Sequence, residues 1–295
     1  MNELLCKFDR LSLSPKSKIS TYKYIDPFFL ESKVIYIQKL WRLKKLKAKK
    51  LPKGALCSIN GNNYEKDIYN IVKKCTLNNK IFNTQIEDDL GGSSAANDIE
   101  CNYKKDKDIG IEVKKYNTPD YMQCSLSYDK KQKKLVPSKK GKIPKECKKM
   151  FEIIFKDINL YNGDIPPFLQ KKITHEEWKE IKSKTDKWND CYFDIPNDTI
   201  KKLYNKKGCN YIQISNDFGL YHLGNDTCNF NVPEFIVDQQ LRVRTKIHTK
   251  KNKKGFCNIS VTAACQPKKI ESLNKSIFSL DNINKLPSNL IYSNQ

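Results

Sequence analysis

Gly91-Gly92-Ser93-Ser94-Ala95-Ala96-Asn97-Asp98-Ile99 is followed, ten residues on, by Ile109-Gly110-Ile111-Glu112-Val113-Lys114. A glycine turn, an acid, a polar connection and an apolar run carrying an acid and a lysine organise the reading of this chain. On a strand, successive side chains point to opposite faces. Glu112 and Lys114 therefore share one face, and Ile111 and Val113 the other. Asp98–Cys101 reads as a preceding strand, and a hairpin through Asn102–Asp108 returns Glu112 to the neighbourhood of Asp98. Two carboxylates and an ammonium then converge. Such a spot suits a hard divalent cation beside a group that orients or deprotonates water.

The flanking elements extend the pattern. Gly61-Asn62-Asn63-Tyr64-Glu65-Lys66-Asp67-Ile68-Tyr69-Asn70-Ile71-Val72 carries Tyr64, Ile68 and Ile71/Val72 at helical spacing. It predicts a helix over about 62–75, ahead of strands over 81–86, 98–103 and 109–115 and a helix over 119–128. Asp88 and Asp89, just before the glycine turn, read as solvated loop acids.

This arrangement resembles the PD-(D/E)XK nuclease superfamily, the restriction-endonuclease-like fold. The resemblance is carried by residues 54–130 and implies an α/β chain (α+β, with a mixed sheet) acting as a metal-dependent deoxyribonuclease. It makes Asp98 and Glu112 the ligands of Mg²⁺ or Mn²⁺, Lys114 the water-positioning cation and Glu65 a fourth member on the preceding helix. Asn97 stands where that family often has proline. Gln123, on the expected helix 119–128, resembles the glutamine of RecB-like and YqaJ-type viral exonucleases. The tyrosine of their Q-x-x-x-Y pattern falls one place late here, at Tyr128. Endonuclease and exonuclease both stay open, and so do DNA and RNA as substrates.

Composition bounds the partners. The chain has 295 residues and a net charge of +22. That balance favours a polyanion, because phosphate neutralisation dominates nucleic-acid binding. Four of the 55 basic residues are arginines, leaving 51 lysines. With abundant Asn and Ile, the skew matches an A+T-rich genome such as that of a large DNA virus, and it accounts for part of the charge. Two arginines lie in Leu241-Arg242-Val243-Arg244-Thr245-Lys246-Ile247-His248. Alternation sets Arg242, Arg244, Lys246 and His248 on one face, a candidate phosphate-tracking ribbon whose return strand is Phe256–Cys265. The alternative is a solvated polar face.

The remaining chain divides into three parts. Residues 1–53 form an extension whose basic helix, Pro27 to about Lys50, contains Ile37-Gln38-Lys39-Leu40-Trp41-Arg42. This resembles an IQ motif and implies a calmodulin-like partner, a DNA-backbone clamp or an import signal. Residues 54–270 form the nuclease-like domain, with a lysine-rich and helical insertion at about 130–190. Within it, helices are expected at 145–157 and 174–188, the second opened by a capping box at Thr174-His175-Glu176-Glu177. A short helix over 197–205 and strands over 211–215 and 220–223 follow. Residues 271–295 read as a polar tail with little to bury. No apolar run of membrane-spanning length and no signal-peptide core occurs, so an intracellular protein is expected, in the cytoplasm or nucleus of a host cell if viral. The 11 cysteines include no C-x-x-C pair, which points to free thiols rather than zinc. His175 and His222 carry no assignment.

Overall fold

The structure is a computed structural model and describes residues 53–78, 80–82, 96–104, 107–251 and 255–293. The IQ-like helix, the glycine turn at 91–95, Asp88 and Asp89, and residues 83–86 of the expected strand lie outside these. Among the described residues no helix is long and apolar enough to cross a membrane. The described residues form a mixed α/β architecture with five α-helices and three sheets.

Helix α1 spans Lys53–Val72 and so takes in residues well ahead of those the periodicity indicates. It leads into β1 (Cys75–Leu77) and β2 (Lys80–Ile81). Strands β3 (Ile99–Lys104) and β4 (Lys107–Lys114) form the expected antiparallel hairpin. After β4 come β5 (Gln123–Asp129), β6 (Lys134–Pro137), α2 (Lys145–Ile154), the short α3 (Pro167–Gln170), α4 (His175–Lys184) and β7 (Cys191–Ile195). Then α5 (Thr199–Lys207) feeds β8 (Cys209–Ile214) and β9 (Gly219–His222). The long pair β10 (Gln239–Lys251) and β11 (Cys257–Pro267) precedes β12 (Leu290–Tyr292).

The sheet that matters most has the order β3-β4-β8-β9 and is antiparallel except for β4 beside β8. A parallel pair needs a crossover. Here the crossover runs from Lys115 to Gly208 and ends in α5. This sheet separates two cores. Ile109, Ile111, Val113, Tyr211 and Leu220 pack with Ile68, Tyr69 and Val72 of α1. Ile212, Ile214 and Tyr221 pack with Ile200, Leu203 and Tyr204 of α5. Gly110 is needed where β4 meets the end of α5, because a Cβ there would lie 2.4 Å from the Gly208 carbonyl. Gly208 itself closes α5 in the left-handed region, at φ 95°, a conformation that costs glycine little.

The second sheet, β6-β5-β11-β10-β7, is antiparallel throughout. Its presence corrects two expectations, and the small sheet β12-β1-β2 corrects a third. The segment 119–128 is no helix. Cys124 and Leu126 are buried and alternate with exposed Ser125, a period-two pattern that makes β5 a strand paired to β11. The insertion at 130–190 is not only helical either, since β6 pairs with β5 and extends this sheet. The chain after Ser272 is no loose tail: Leu273, Leu280 and Leu290 are buried, and β12 pairs with β1. Gln213, fully buried, donates to the hydroxyls of Tyr64 and Ser279 and accepts from the Leu280 amide, while Tyr64 donates to Asp281. This polar network pins the downstream segment to α1.

Other local readings are matched. Thr174 and Glu177 form the capping box of α4, and the helices near 145 and 199 lie within a few residues of their expected bounds. Cys75, Cys101, Cys124, Cys147, Cys191, Cys209, Cys228 and Cys265 are free thiols.

Candidate active site

The hairpin register sets Ile99 opposite Ile111, so continuing it by one residue places Asp98 across from Glu112. Asp98 is fixed there because its Oδ2 accepts the Val113 amide at 2.8 Å. Lys114 Nζ bonds Glu112 Oε1 and lies 3.9 Å from Asp98 Oδ2, so the ammonium sits between the two carboxylates. From α1, Glu65 joins them in lining one cleft of about 250 Å³, together with Gln123, Asp120 and Tyr121. Four of the residues singled out by sequence are thus brought to one place, and Gln123 reaches the same cleft from the first position of a strand rather than from a helix.

The cleft also holds residues that sequence reasoning missed. Lys207, in the last turn of α5, has its Nζ 2.6 Å from Glu112 Oε2. Glu112 is therefore gripped by a lysine on each oxygen. Tyr204, one turn earlier on α5, and Tyr121 both line the cleft with buried hydroxyls that have no hydrogen-bond partner among the described residues. Buried polar atoms without partners are uncommon and call for a ligand, ion or water. Cys209 donates to Asn97 Oδ1 at 2.8 Å, which occupies the position next to Asp98.

Electrostatics follow from the burial. Burial pushes the Asp98 carboxyl up, Glu112 adds to the effect, and the lysines only partly offset it; the result is about 7. Glu112 moves the other way: burial opposes its charge, but Lys114 and then Lys207 outweigh that and hold it below the usual carboxylate range. Burial raises Glu65, with Lys114 opposing and Glu112 reinforcing. For Lys114 and Lys207 burial works against the charge, yet the facing carboxylates prevail and both are raised. Leaving aside Asp120, which Arg242 and Arg244 engage, the cleft sets three carboxyl groups against two ammoniums, an excess of one acid that shows in the raised Asp98 and Glu65.

That excess tests the fit to a divalent cation. Among the described residues no three His, Cys, Asp or Glu side chains are grouped closely enough to cage a metal. Mg²⁺ does not require such a cage, as it commonly keeps several waters and takes one or two carboxylates. Asp98 and Glu112 supply those two hard oxygen donors, and a cation would relieve the unfavourable charge on Asp98. The donor set fits, provided Lys114 gives up its place between the carboxylates.

The basic ribbon is placed differently from the expectation of a free face. Arg244 bonds Asp120 Oδ2 at 2.8 Å, and Arg242 contacts both Asp190, at 2.8 Å from Nε, and Asp120, at 3.4 Å. Asp120 is 6% exposed and also accepts from Gln266. Both arginines are thus committed to carboxylates, while Lys246 is exposed. His222 accepts the Gly224 amide on Nδ1 and lies outside the cleft lining. No protein-family model, curated protein or solved structure matches the chain.

Proposed function

We propose that this protein is a metal-dependent nuclease of restriction-endonuclease-like type that hydrolyses DNA phosphodiester bonds. The observation that carries the reading is the convergence of Asp98, Glu112 and Lys114 from one hairpin with Glu65 from α1 in a single cleft. The order helix, hairpin, helix, strand, with β4 parallel to β8, supports a restriction-endonuclease-like core.

Asp98 and Glu112 would hold Mg²⁺ or Mn²⁺, which supplies Lewis acidity at the scissile phosphate. Lys114 orients the attacking water and stabilises charge developing on the phosphate. Lys207 keeps Glu112 ionised and fixes its carboxylate plane. Glu65 adds a further polar group at the cleft mouth, and the Tyr121 and Tyr204 hydroxyls are donors available to phosphate oxygens.

A second reading is a nucleic-acid-binding protein that does not cut. It is favoured by the two-lysine grip on Glu112, which neutralises that carboxylate without a metal. Purified protein incubated with circular and linear DNA, in Mg²⁺, Mn²⁺ or EDTA, separates the two. Cleavage that requires the metal supports the nuclease; binding without cleavage under all three conditions supports the second reading. The partner through the IQ-like helix stays a proposal resting on Ile37–Arg42 alone, tested by pull-down with calmodulin.

A further inference from the structure

We propose that strand β5 carries duplex DNA from the cleft to a second, lysine-lined groove, so that the protein grips about six base pairs to one side of the cleavage point. The proposal rests on the nuclease reading only for its starting point. Gln123, the first residue of β5, lines the cleft with Asp98 and Glu112. Ser127, Tyr128 and Asp129, at the other end of the same strand, line a groove of about 860 Å³. Lys130, Lys134, Lys139 and Lys140 line that groove too, all four exposed, and they outnumber its two carboxylates, Asp129 and the exposed Glu152 of α2.

Between the two sites, Ser125 is exposed on the face shared with Gln123 and Ser127. That face presents short hydroxyl side chains and no carboxylate until Asp129. Asp129 itself accepts the Lys131 and Gln132 amides, which ties it into the β5–β6 turn. A backbone phosphate strand can therefore lie along β5 without meeting a free acid on that strand. Six residue steps at about 3.3 Å each span about 20 Å. Duplex DNA at about 3.4 Å per step covers that distance in about six base pairs.

The test uses the full chain and a labelled 24-base-pair duplex in EDTA, read by fluorescence anisotropy across a salt series. A variant with Lys130, Lys134, Lys139 and Lys140 all changed to alanine is compared with one in which Lys171, Lys172, Lys179 and Lys184, also exposed, are changed. The groove variant is expected to bind at least about tenfold more weakly, with a log–log salt slope lower by about 3, near 0.9 per lost phosphate contact. The control variant is expected to change affinity by less than about threefold. Equal losses in both variants would overturn the proposal, because the groove would then be no more than part of the general charge. Hydroxyl-radical footprinting in Ca²⁺ adds a geometric readout: protection should extend about six base pairs beyond the cleft on one side and vanish from that arm in the groove variant. Symmetric protection would also overturn it. Neither readout depends on cleavage, so a protein that binds in this way but never cuts would refute the nuclease reading and leave the groove standing.

Discussion

Lys207 Nζ lies 2.6 Å from Glu112 Oε2, with both side chains under 5% exposed. The lysine comes from the last turn of α5 and the glutamate from the centre of β4, so the contact ties the helix to the parallel pair it closes. Its removal leaves Glu112 buried with one counter-charge in place of two. Lys207→Met is expected to destabilise the fold by about 1–3 kcal/mol, the cost of a buried charged group that loses a partner. Combined with Glu112→Gln, the loss should shrink, since the stranded charge is gone. Chemical denaturation of the two single variants and the double variant checks this; strictly additive losses would show that the pair is not coupled.

Asp98→Asn, Glu112→Gln and Lys114→Ala are each expected to lower DNA hydrolysis by about 100-fold or more, while anisotropy shows binding retained. Glu65→Ala should be milder. Ca²⁺, which accepts looser geometry than Mg²⁺, should support binding without turnover. Normal cleavage by the Glu112→Gln, Lys114→Ala double variant would reject the site.

The proposed metal would compete with the proton for Asp98. Its carboxyl is raised to about 7 by burial and by Glu112, so the metal-free protein holds that proton more tightly than the unfolded chain does. This term stabilises the metal-free fold below the ordinary aspartate range and fades as pH rises toward 7. Saturating Mg²⁺ reverses the dependence by taking the carboxylate. Thermal melts should show a stabilisation by Mg²⁺ that grows as pH climbs through about 7, with proton release on titration of the metal. A Mg²⁺ effect independent of pH would place the metal elsewhere.

Arg244 answers to Asp120, and Arg242 to Asp190 first and Asp120 second. Changing both to alanine leaves a 6% exposed carboxylate with Gln266 as its remaining side-chain donor, so stability should fall by about 3–5 kcal/mol. Adding Asp120→Asn should recover much of that loss. If the double variant melts like the parent and loses only DNA affinity, the arginines serve phosphate rather than Asp120.

Gly110→Ala introduces a methyl against the Gly208 carbonyl and the Asn97 side chain. The clash is with backbone on one side, and overpacking of this kind costs about 1–3 kcal/mol or more. The melting temperature should drop, whereas Gly61→Ala, with open space around it, should hold or raise it. A Gly110→Ala protein that melts like the parent would show that β4 and α5 have room to separate.

The hairpin was legible because alternation and an intervening polar turn are local signals: Ile109, Ile111 and Val113 against Gly110, Glu112 and Lys114. Asp98 followed from it, and Glu65 from the resemblance to the nuclease superfamily. Lys207 was not legible, since one lysine among 51 carries no contrast, and its role depends on a crossover of nearly a hundred residues. Gln123 was placed on a helix by family resemblance, although Cys124, Leu126 and Tyr128 already alternate; here the nearer signal was the better one. The downstream segment hid its packing because Leu273, Leu280 and Leu290 enter the core singly from irregular chain, without any period to detect. Arg242 and Arg244 looked like a free basic face because their partners, Asp120 and Asp190, lie 122 and 52 positions away from Arg242.

The Tyr64–Asp281 hydrogen bond spans 217 positions, and it braces the helix that bears Glu65. A ribosome adding about 5–20 residues per second needs about 10–40 s to cover that separation. During that interval the nascent chain exposes Glu65, Asp98, Glu112 and Lys114 in turn without the brace that fixes their helix. Until Ser279 and Asp281 have emerged, α1 lacks the contacts that hold its Tyr64 to the downstream segment.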